Sequence, residues 1–363
     1  MMRVLLLSEA NSIHTKRWTE ALCQRNVDIM LVSLSKPRDD FYETLDVQYL
    51  CINEQKFDAP TFGKLGYLKL VRHVKKAIKE FAPDILHAHY ASSYGLIGAI
   101  AGFHPYIVSV WGSDVYEFPH LNPINKWIIK YVLHKADVLL STSHVMANET
   151  HKYTDKEILI TPFGVDTTRF KKTGAGVSNG RFVVGNVKTL APKYGIDVLI
   201  KAFKLVVDRN STLDTELRIY GTGPCRMEYE QLAQDLGIAD KVKFMGWVDN
   251  AQLPEVYSSF SVSVSVSDSE SFGVVAVEAM ACECPVVTSD ADGFTEVVES
   301  GVTGFVVPKR NVEATANAIQ RFIDDSTLSS KMGAEGRKRV LNLYDWENNV
   351  NTMFSIYKKV LGE

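Results

Sequence analysis

The sequence predicts an α/β protein built as two doubly wound units, each a parallel sheet with helices on both faces. Three observations point there. At 363 residues the chain is longer than a single hydrophobic core commonly serves. Short β-rich runs alternate with helical patterns along its whole length, as parallel α/β architecture requires. The alternation then restarts after GVDTTRFKKTGAGVSNGR (164–181), a polar stretch rich in Gly, Lys and Thr that reads as a linker. The expected division is a first domain over 1–165, a linker over 166–180 and a second domain over 181–344. An aromatic C-terminal helix over 345–363, containing Trp346, is expected to pack back on the first domain.

In the first half RVLLLS opens the chain, followed by a helical stretch around TKRWTEALCQR, the strand DIMLVSL and a long amphipathic helix near LGYLKLVRHVKKAIKEF. DILHAHY, YIVSVWG, DVLLSTS and EILITPF read as further strands. The second half offers FVVGNV, the helix GIDVLIKAFKLVV, the strand LRIYG, the helix MEYEQLAQDLG and VKFMGWV, then SVSVSVS, PVVTS and GFVVP. Two such halves imply a central cleft, with ligands beyond the carboxyl ends of the strands.

Composition narrows the function classes. Hydrophobic residues make up 46% and charged residues 23%, ordinary for a soluble globular enzyme. A net charge of −3 argues against nucleic acid as a partner. The opening MMRVLLLSEANS has an apolar run too short for a secretory signal, and no window is apolar enough to span a bilayer. Five scattered cysteines read as reduced thiols, so a cytoplasmic location is expected. Cys282 and Cys284 lack neighbouring ligands, and no metal site is expected there.

The segment SDSESFGVVAVEAMACECPVVTS (267–289) places Glu270 before an apolar run and Glu278 inside it. With SVSVSVS a strand and SFGVVAVEAMA a helix capped near Ser267, Asp268 or Ser269, the two glutamates stand about 12 Å apart along the helix. The N–H groups of Phe272, Gly273 and Val274 then form an anion site at the helix mouth, and Gly273 admits a close approach to the backbone. A sugar nucleotide laid across that mouth fits, because each carboxylate can accept two hydrogen bonds from a vicinal diol. A plainer reading stays open for Glu270, as the partner in a capping box with Ser267. For Glu278 apolar neighbours make an unpaired carboxylate costly.

The run from Glu270 to Glu278 resembles the paired-glutamate signature of retaining glycosyltransferases of family 4, which have the GT-B fold. The resemblance continues through CECPVVTSDADGFTEVVESGVTGFVVP and takes in LRIYGTGP, VKFMGWV and ITPFGVDTTRF, so it covers essentially the whole chain. It implies that Glu270 binds the donor sugar and Glu278 the nucleotide ribose. It also places cations on the donor diphosphate, and GNVKTLAPKYGID supplies Lys188 and Lys193, with Lys193 in the better register. Such cations stabilise charge growing on the leaving group. Gly221 and Ser12 are expected to bind the donor nucleotide, with the base near Gly246, Val248 and Leu253.

In the first half, DILHAHY resembles the family's strand ending in His-x-His. Residues 87 and 89 share a face of the strand, and His89 is the expected cleft residue, although a packed pair is the plainer reading. The chain departs from the pattern at Trp111, where the family has a histidine that contacts the sugar. Asp114 or Trp111 itself is then left to shape the pocket. A second departure is Asn11-Ser12 in place of a glycine pair. His14, Lys16 and Arg17 are acceptor-side candidates, and the two cations read equally as solvated surface charges.

Other signals are weaker. Gly221-Thr-Gly223-Pro lacks the third glycine of a dinucleotide fingerprint. Asp290-Ala-Asp292 is weak evidence for a metal, and the resemblance implies that cations stand in its place, so neither metal nor other cofactor is expected. The helix around 64–79 carries Lys64, Lys69, Arg72, Lys75, Lys76 and Lys79, with apolar Leu65, Leu68, Val71, Val74 and Ile78 and aromatic Phe62 and Tyr67 nearby. It reads either as a charged surface helix or as a peripheral contact with anionic membrane.

The resulting expectation is a retaining transferase. It would move a sugar from a nucleotide-diphosphate donor, UDP foremost, to a hydroxyl of a glycan or lipid-linked acceptor in cell-surface polysaccharide assembly. A phosphorylase or sugar-nucleotide epimerase on the same architecture, or a catalytically silent nucleotide-sugar-binding subunit, are the rivals.

Overall fold

The computed structural model describes residues 1–52, 65–174 and 180–363, with residues 65–69 described in backbone alone. The chain divides into two compact units, one formed by Met1–Pro162 with Asn348–Glu363 and the other by Phe163–Glu347.

The first unit holds strands β1 (Arg3–Leu7), β2 (Asp28–Ser33), β3 (Gln48–Cys51), β4 (Ile85–His89), β5 (Tyr106–Val110), β6 (Val138–Ser141) and β7 (Ile158–Ile160). They pair in parallel in the order β3-β2-β1-β4-β5-β6-β7. Strand order reverses between β1 and β4, so their carboxyl ends mark the ligand edge of this sheet. Leu5, Leu86, Val108 and Leu139 pack beneath Val74, Ile97, Ile129 and Val132 of the covering helices. Each such side chain stabilises the fold by about 1.5–3 kcal/mol through its removal from water. The sequence reading passed over β3, an edge strand whose first two residues are exposed; it has no buried face to impose alternation.

The second unit holds β8 (Phe182–Val187), β9 (Thr215–Tyr220), β10 (Val242–Gly246), β11 (Val262–Ser265), β12 (Val286–Ser289) and β13 (Gly304–Val307). Its order is β10-β9-β8-β11-β12-β13, again all parallel. The alternating serines of β11 suggest a half-exposed strand. Ser263 and Ser265 are nevertheless buried, because a central parallel strand is covered on both faces.

Two expectations about the connections are revised. The first stretch of the presumed linker, residues 166–174, lies in the second unit. Arg337 donates to the carbonyls of Thr167 (2.9 Å), Phe170 and Ala281 (2.7 Å), and Val165 exchanges backbone bonds with Tyr344 and Trp346. A polar composition thus marks a strapped arch rather than a free tether. Residues 175–179 lie outside the described residues. The helix Trp346–Leu361 enters the first unit from Asn348 onward, where buried Tyr357 sets its hydroxyl 2.6 Å from His87 Nδ1.

The helix Leu65–Phe81 is amphipathic, and its apolar face is occupied: Val71, Val74, Ala77 and Phe81 are buried in the first core. Arg72, Lys75, Lys76 and Lys79 are exposed, so the described face toward solvent is cationic and not apolar. Phe62 and Lys64 lie outside the described residues, as do the side chains of Leu65, Tyr67, Leu68 and Lys69. Among the described residues no helix is long and apolar enough to cross a membrane.

Candidate active site

The second unit gathers its candidate residues at the carboxyl ends of β8 and β11, where its strand order reverses. Lys188 follows β8 directly, and its ammonium lies 2.6 Å from the Glu270 carboxylate, with each side chain 14% exposed. That ammonium stands 4.8 Å from the centre of the Tyr194 ring, and Lys193 Nζ stands 5.2 Å from the same ring. A short 3-10 turn, Pro192–Tyr194, makes this convergence. Both lysines and Glu270 therefore share one locality, although Lys193 is the more exposed cation and Lys188 makes the ion pair with Glu270.

Glu270 is not part of the helix. The helix runs Val274–Ala281 and is preceded by Gly273 in a left-handed conformation at φ 95°. A Cβ on Gly273 would stand 2.7 Å from the Phe294 ring, so the close approach expected at this glycine is made by an aromatic side chain. Residues 267–273 form a loop tied by Asp268 N–H to the Lys193 carbonyl (2.8 Å) and by Gly293 N–H to the Glu270 carbonyl (2.9 Å). Neither the N-cap near Ser267 nor the capping box forms, and Phe272 is buried. The open helix mouth therefore begins at Val274, two residues later than the spacing implied, and the distance argument from helical rise does not apply. In this loop Ser267 Oγ and Asp268 Oδ1 are buried without a protein hydrogen-bond partner.

Glu278 lies one turn inside the helix and accepts a hydrogen bond from the Tyr257 hydroxyl at 3.0 Å. Burial, together with the Glu278 charge, pushes the Tyr257 phenol well above its ordinary value, so it stays a donor. Sequence reasoning missed Tyr257, and Tyr194 as well, because nothing in local spacing ties either to its partner. Gly221 has φ 137°, and a Cβ there would stand 2.0 Å from the Lys188 carbonyl; the glycine is what lets β8 and β9 end side by side. Its N–H donates to the Gly246 carbonyl at 2.7 Å. Val248 is half-buried beside exposed Trp247, while Leu253 is buried at the start of its helix and offers little surface to a base.

In the first unit the carboxyl ends of β1, β4 and β5 hold an aromatic and imidazole stack. His89 is buried, its ring centre 4.2 Å from that of Trp111 at 31° and 4.7 Å from that of His87. Ser8 Oγ is 2.9 Å from His89 Nδ1 and 2.7 Å from the Thr15 hydroxyl. His87 is held by Tyr357 and, at 2.8 Å, by Ser109. Burial lowers His87 to about 3, and it holds His89 well below the ordinary value, so both rings are neutral at pH 7. His14, edge-on to Trp111 at 5.9 Å, is lowered to about 4 by burial and by Arg17.

Asp114 is buried, and its two oxygens accept from the backbone N–H groups of Ala91 (2.9 Å), Gly112 (2.8 Å) and Trp111 (3.2 Å). Burial raises its pKa against those bonds. In this geometry the carboxylate fixes the loop that presents Trp111 and has no oxygen turned to a ligand. Asn11 also has a structural reason: its amide donates to Glu9 Oε1 (3.2 Å) and the Lys36 carbonyl (2.9 Å) and accepts from Arg38 N–H (2.9 Å). It joins two loops that a glycine pair would leave unlinked. Ser12 makes no side-chain cap bond to the helix Ile13–Cys23, and Lys16 is paired with Asp39. Among the described residues no cluster of three or more His, Cys, Asp or Glu side chains is arranged to hold a metal ion.

Comparison with known proteins follows the same division. Residues 168–339 match the model of glycosyl transferases group 1, and residues 3–143 match that of glycosyl transferase 4-like proteins. The chain is 27% identical over 305 residues to N-acetyl-alpha-D-glucosaminyl L-malate synthase of Bacillus anthracis, covering 77% of this chain and 76% of that protein. It is 26% identical to the capsular polysaccharide biosynthesis glycosyltransferase CapM of Staphylococcus aureus, covering 95% and 93%. Sucrose-phosphate synthase from Thermosynechococcus elongatus superposes with a TM-score of 0.83 at 22% identity, over 100% of both chains. Anabaena HepE in complex with UDP superposes with a TM-score of 0.84 at 20% identity, over 99% of this chain and 100% of that one. At those identities the solved structures speak for the fold.

Proposed function

The chain belongs to the glycosyl transferases group 1 family, as a family 4-type glycosyltransferase of the GT-B fold, and from that premise we propose that it is a retaining, metal-independent sugar transferase with a UDP-sugar donor. Its acceptor is a hydroxyl of a glycan or lipid-linked glycan in cell-surface polysaccharide assembly. The observation that carries this reading is the convergence of Lys188 and Lys193 on Tyr194, with Glu270 paired to Lys188, at the carboxyl edge of the second sheet.

Each residue then has a chemical part. The two ammoniums neutralise the charge that grows on the diphosphate as the glycosidic bond breaks, and their fixed position lowers the reorganisation needed in the transition state. Glu270 accepts hydrogen bonds from hydroxyls of the transferred sugar. Glu278, steadied by Tyr257, accepts from the ribose. The helix mouth at Val274 adds backbone N–H groups for the diphosphate. The acceptor oxygen bonds the anomeric carbon on the face from which the diphosphate leaves, and its proton passes to the departing phosphate oxygen. No protein nucleophile is required by that path. On the first unit the buried stack of neutral His89 and Trp111 backs the carboxyl edge of the sheet, and His14 with Arg17 stands on the acceptor side. The cationic face of the helix Leu65–Phe81 supports attraction to an anionic membrane, where lipid-linked acceptors reside.

The test is turnover across UDP-, GDP- and ADP-sugars, read as free nucleotide, with and without chelator, and with Glu270→Ala alongside. Release from a UDP-sugar that survives chelation and is lost in the variant supports the reading. Nucleotide binding without release under any acceptor mixture favours a silent binding subunit, and neither binding nor release ends the proposal.

A further inference from the structure

We infer that the N-terminal part of the helix Pro123–Lys135 is a docking surface for an anionic lipid bilayer. The helix divides its residues into two apolar sets. Asn125, Ile128, Ile129, Val132 and Leu133 are buried, which accounts for the face that meets the first core. Outside that set Ile124 is 60% exposed and Trp127 62% exposed, and Leu121, just before the helix, is 72% exposed. Ile124, Trp127 and Tyr131 follow helical spacing, so they form one stripe beside the buried face and not scattered exposures. Trp127 and Tyr131 stack with ring centres 5.4 Å apart and 12° between planes, and Tyr131, itself packed against the first core, holds the exposed Trp127 ring in place. Trp and Tyr at the end of an apolar stripe match the headgroup level of a bilayer.

Charge chooses the partner. The helix contains no Asp or Glu, and Lys126 and Lys130 are exposed on the flank of the stripe, with His134 and Lys135 in its last turn. The helix Tyr94–Ala101 packs against it and also against Leu65–Phe81, so all three lie in one layer. That layer adds the exposed Arg72, Lys75, Lys76 and Lys79; Glu80 is exposed there too, within 3.6 Å of Lys76. Glu117 is the exposed acid just ahead of Leu121. A cationic surface on a chain of net charge −3 is a local concentration of positive charge. Two copies meeting through this face would oppose like charges, whereas anionic headgroups complement them and admit the apolar stripe. Because the helix returns from β5 to β6, its aromatic end lies at the carboxyl edge of the sheet, the edge that carries His89 and Trp111. A bilayer there would bring a lipid-linked acceptor to that edge.

The inference uses no residue of the transfer site, so vesicle binding and donor turnover can fail separately. The full chain is floated with vesicles of phosphatidylcholine and phosphatidylglycerol at roughly 70:30, and with phosphatidylcholine alone. The expected result is flotation with the anionic vesicles only, weakened as salt rises from about 0.1 to 0.5 M. Ile124→Asp with Trp127→Asp, and separately Lys126→Glu with Lys130→Glu, should each lower the bound fraction about tenfold. Met227→Asp, at an exposed site of the second unit, should not lower it. Thermal unfolding of each variant, expected unchanged for exposed side chains, guards against misfolding. No flotation, or equal flotation of the double aspartate variant, overturns the inference. Concentration-dependent dimers lost in that variant, without vesicle binding, would also overturn it and mark the surface as an interface between copies.

Discussion

Lys188 and Glu270 lie 82 residues apart in the chain and 2.6 Å apart in space, each side chain 14% exposed. Their pairing sets an ammonium and a carboxylate side by side at the ends of β8 and β11. Chemistry with a diphosphate leaving group beside a hydroxyl-rich ring calls for that pair of charges. The tethering of the Glu270 loop to Lys193 and Gly293 shows that the pair rests on backbone contacts as well as on Coulomb attraction.

Replacing Lys188 or Glu270 by Ala should lower kcat/KM for the donor by roughly 10²–10³-fold each. The double variant should fall short of the product of the two losses, because the residues act as a unit. Steady-state kinetics on the four proteins reads this. Losses below threefold in both single variants would remove the pair from the mechanism.

Tyr257→Phe removes one hydrogen bond to the Glu278 carboxylate and little volume. A bond to a charged group contributes about 1.5–3 kcal/mol, so the donor KM should rise about tenfold or more with kcat largely kept. A fall in kcat at constant KM would place Glu278 nearer the reacting centre than the ribose assignment allows.

Gly221→Ala puts a methyl 2.0 Å from the Lys188 carbonyl at a backbone conformation that L-residues rarely adopt. The strain should cost about 1–3 kcal/mol of stability and displace Lys188, weakening donor binding. Denaturant unfolding and donor titration check the two effects together; an unaltered midpoint would show that the strand ends yield without cost.

His87 is lowered to about 3 and His14 to about 4, with His89 also well below 6.5. Below pH 6.5 the unfolded chain takes up protons on these rings that the folded chain refuses, so stability falls as pH falls. Each histidine adds a slope of about 1.4 kcal/mol per pH unit until its folded value is reached, and none above 6.5. Asp114, raised by burial, acts with the opposite sign near the carboxylate range, so the comparison is made against a variant. His87→Gln should flatten the slope between pH 6.5 and 4.5 by about one histidine's share. Urea unfolding across that range, with an identical slope in both proteins, would contradict it.

Much of the fold was legible because its signals are local. Period-2 and period-3.6 patterns locate strands and helices wherever a face is buried. They fail at β3, where exposure at an edge removes the pattern. At β11 the strand is found as read, with its alternating serines buried in the middle of the sheet. The residues around the second site were legible as types near strand ends: Lys188 and Lys193 follow β8, whereas Glu270 lies in a loop ahead of the helix and Glu278 only one turn inside it.

The sequence by itself determined the two parallel units, and it named the strand ends and charged residues of the candidate site. Only the tertiary structure decided which groups meet. Packing of Phe272 and Phe294 with a left-handed Gly273 moves the helix start past Glu270, and Tyr257 reaches Glu278 from a different helix. Asp114, a pocket candidate in one dimension, is taken up by backbone groups in three. The same holds for surfaces. The apolar stripe of Leu65–Phe81 meets the core, while Ile124 and Trp127 of Pro123–Lys135 stay outside it. Periodicity reports that a helix has an apolar face, but the partner of that face is set by contacts between residues far apart in the chain.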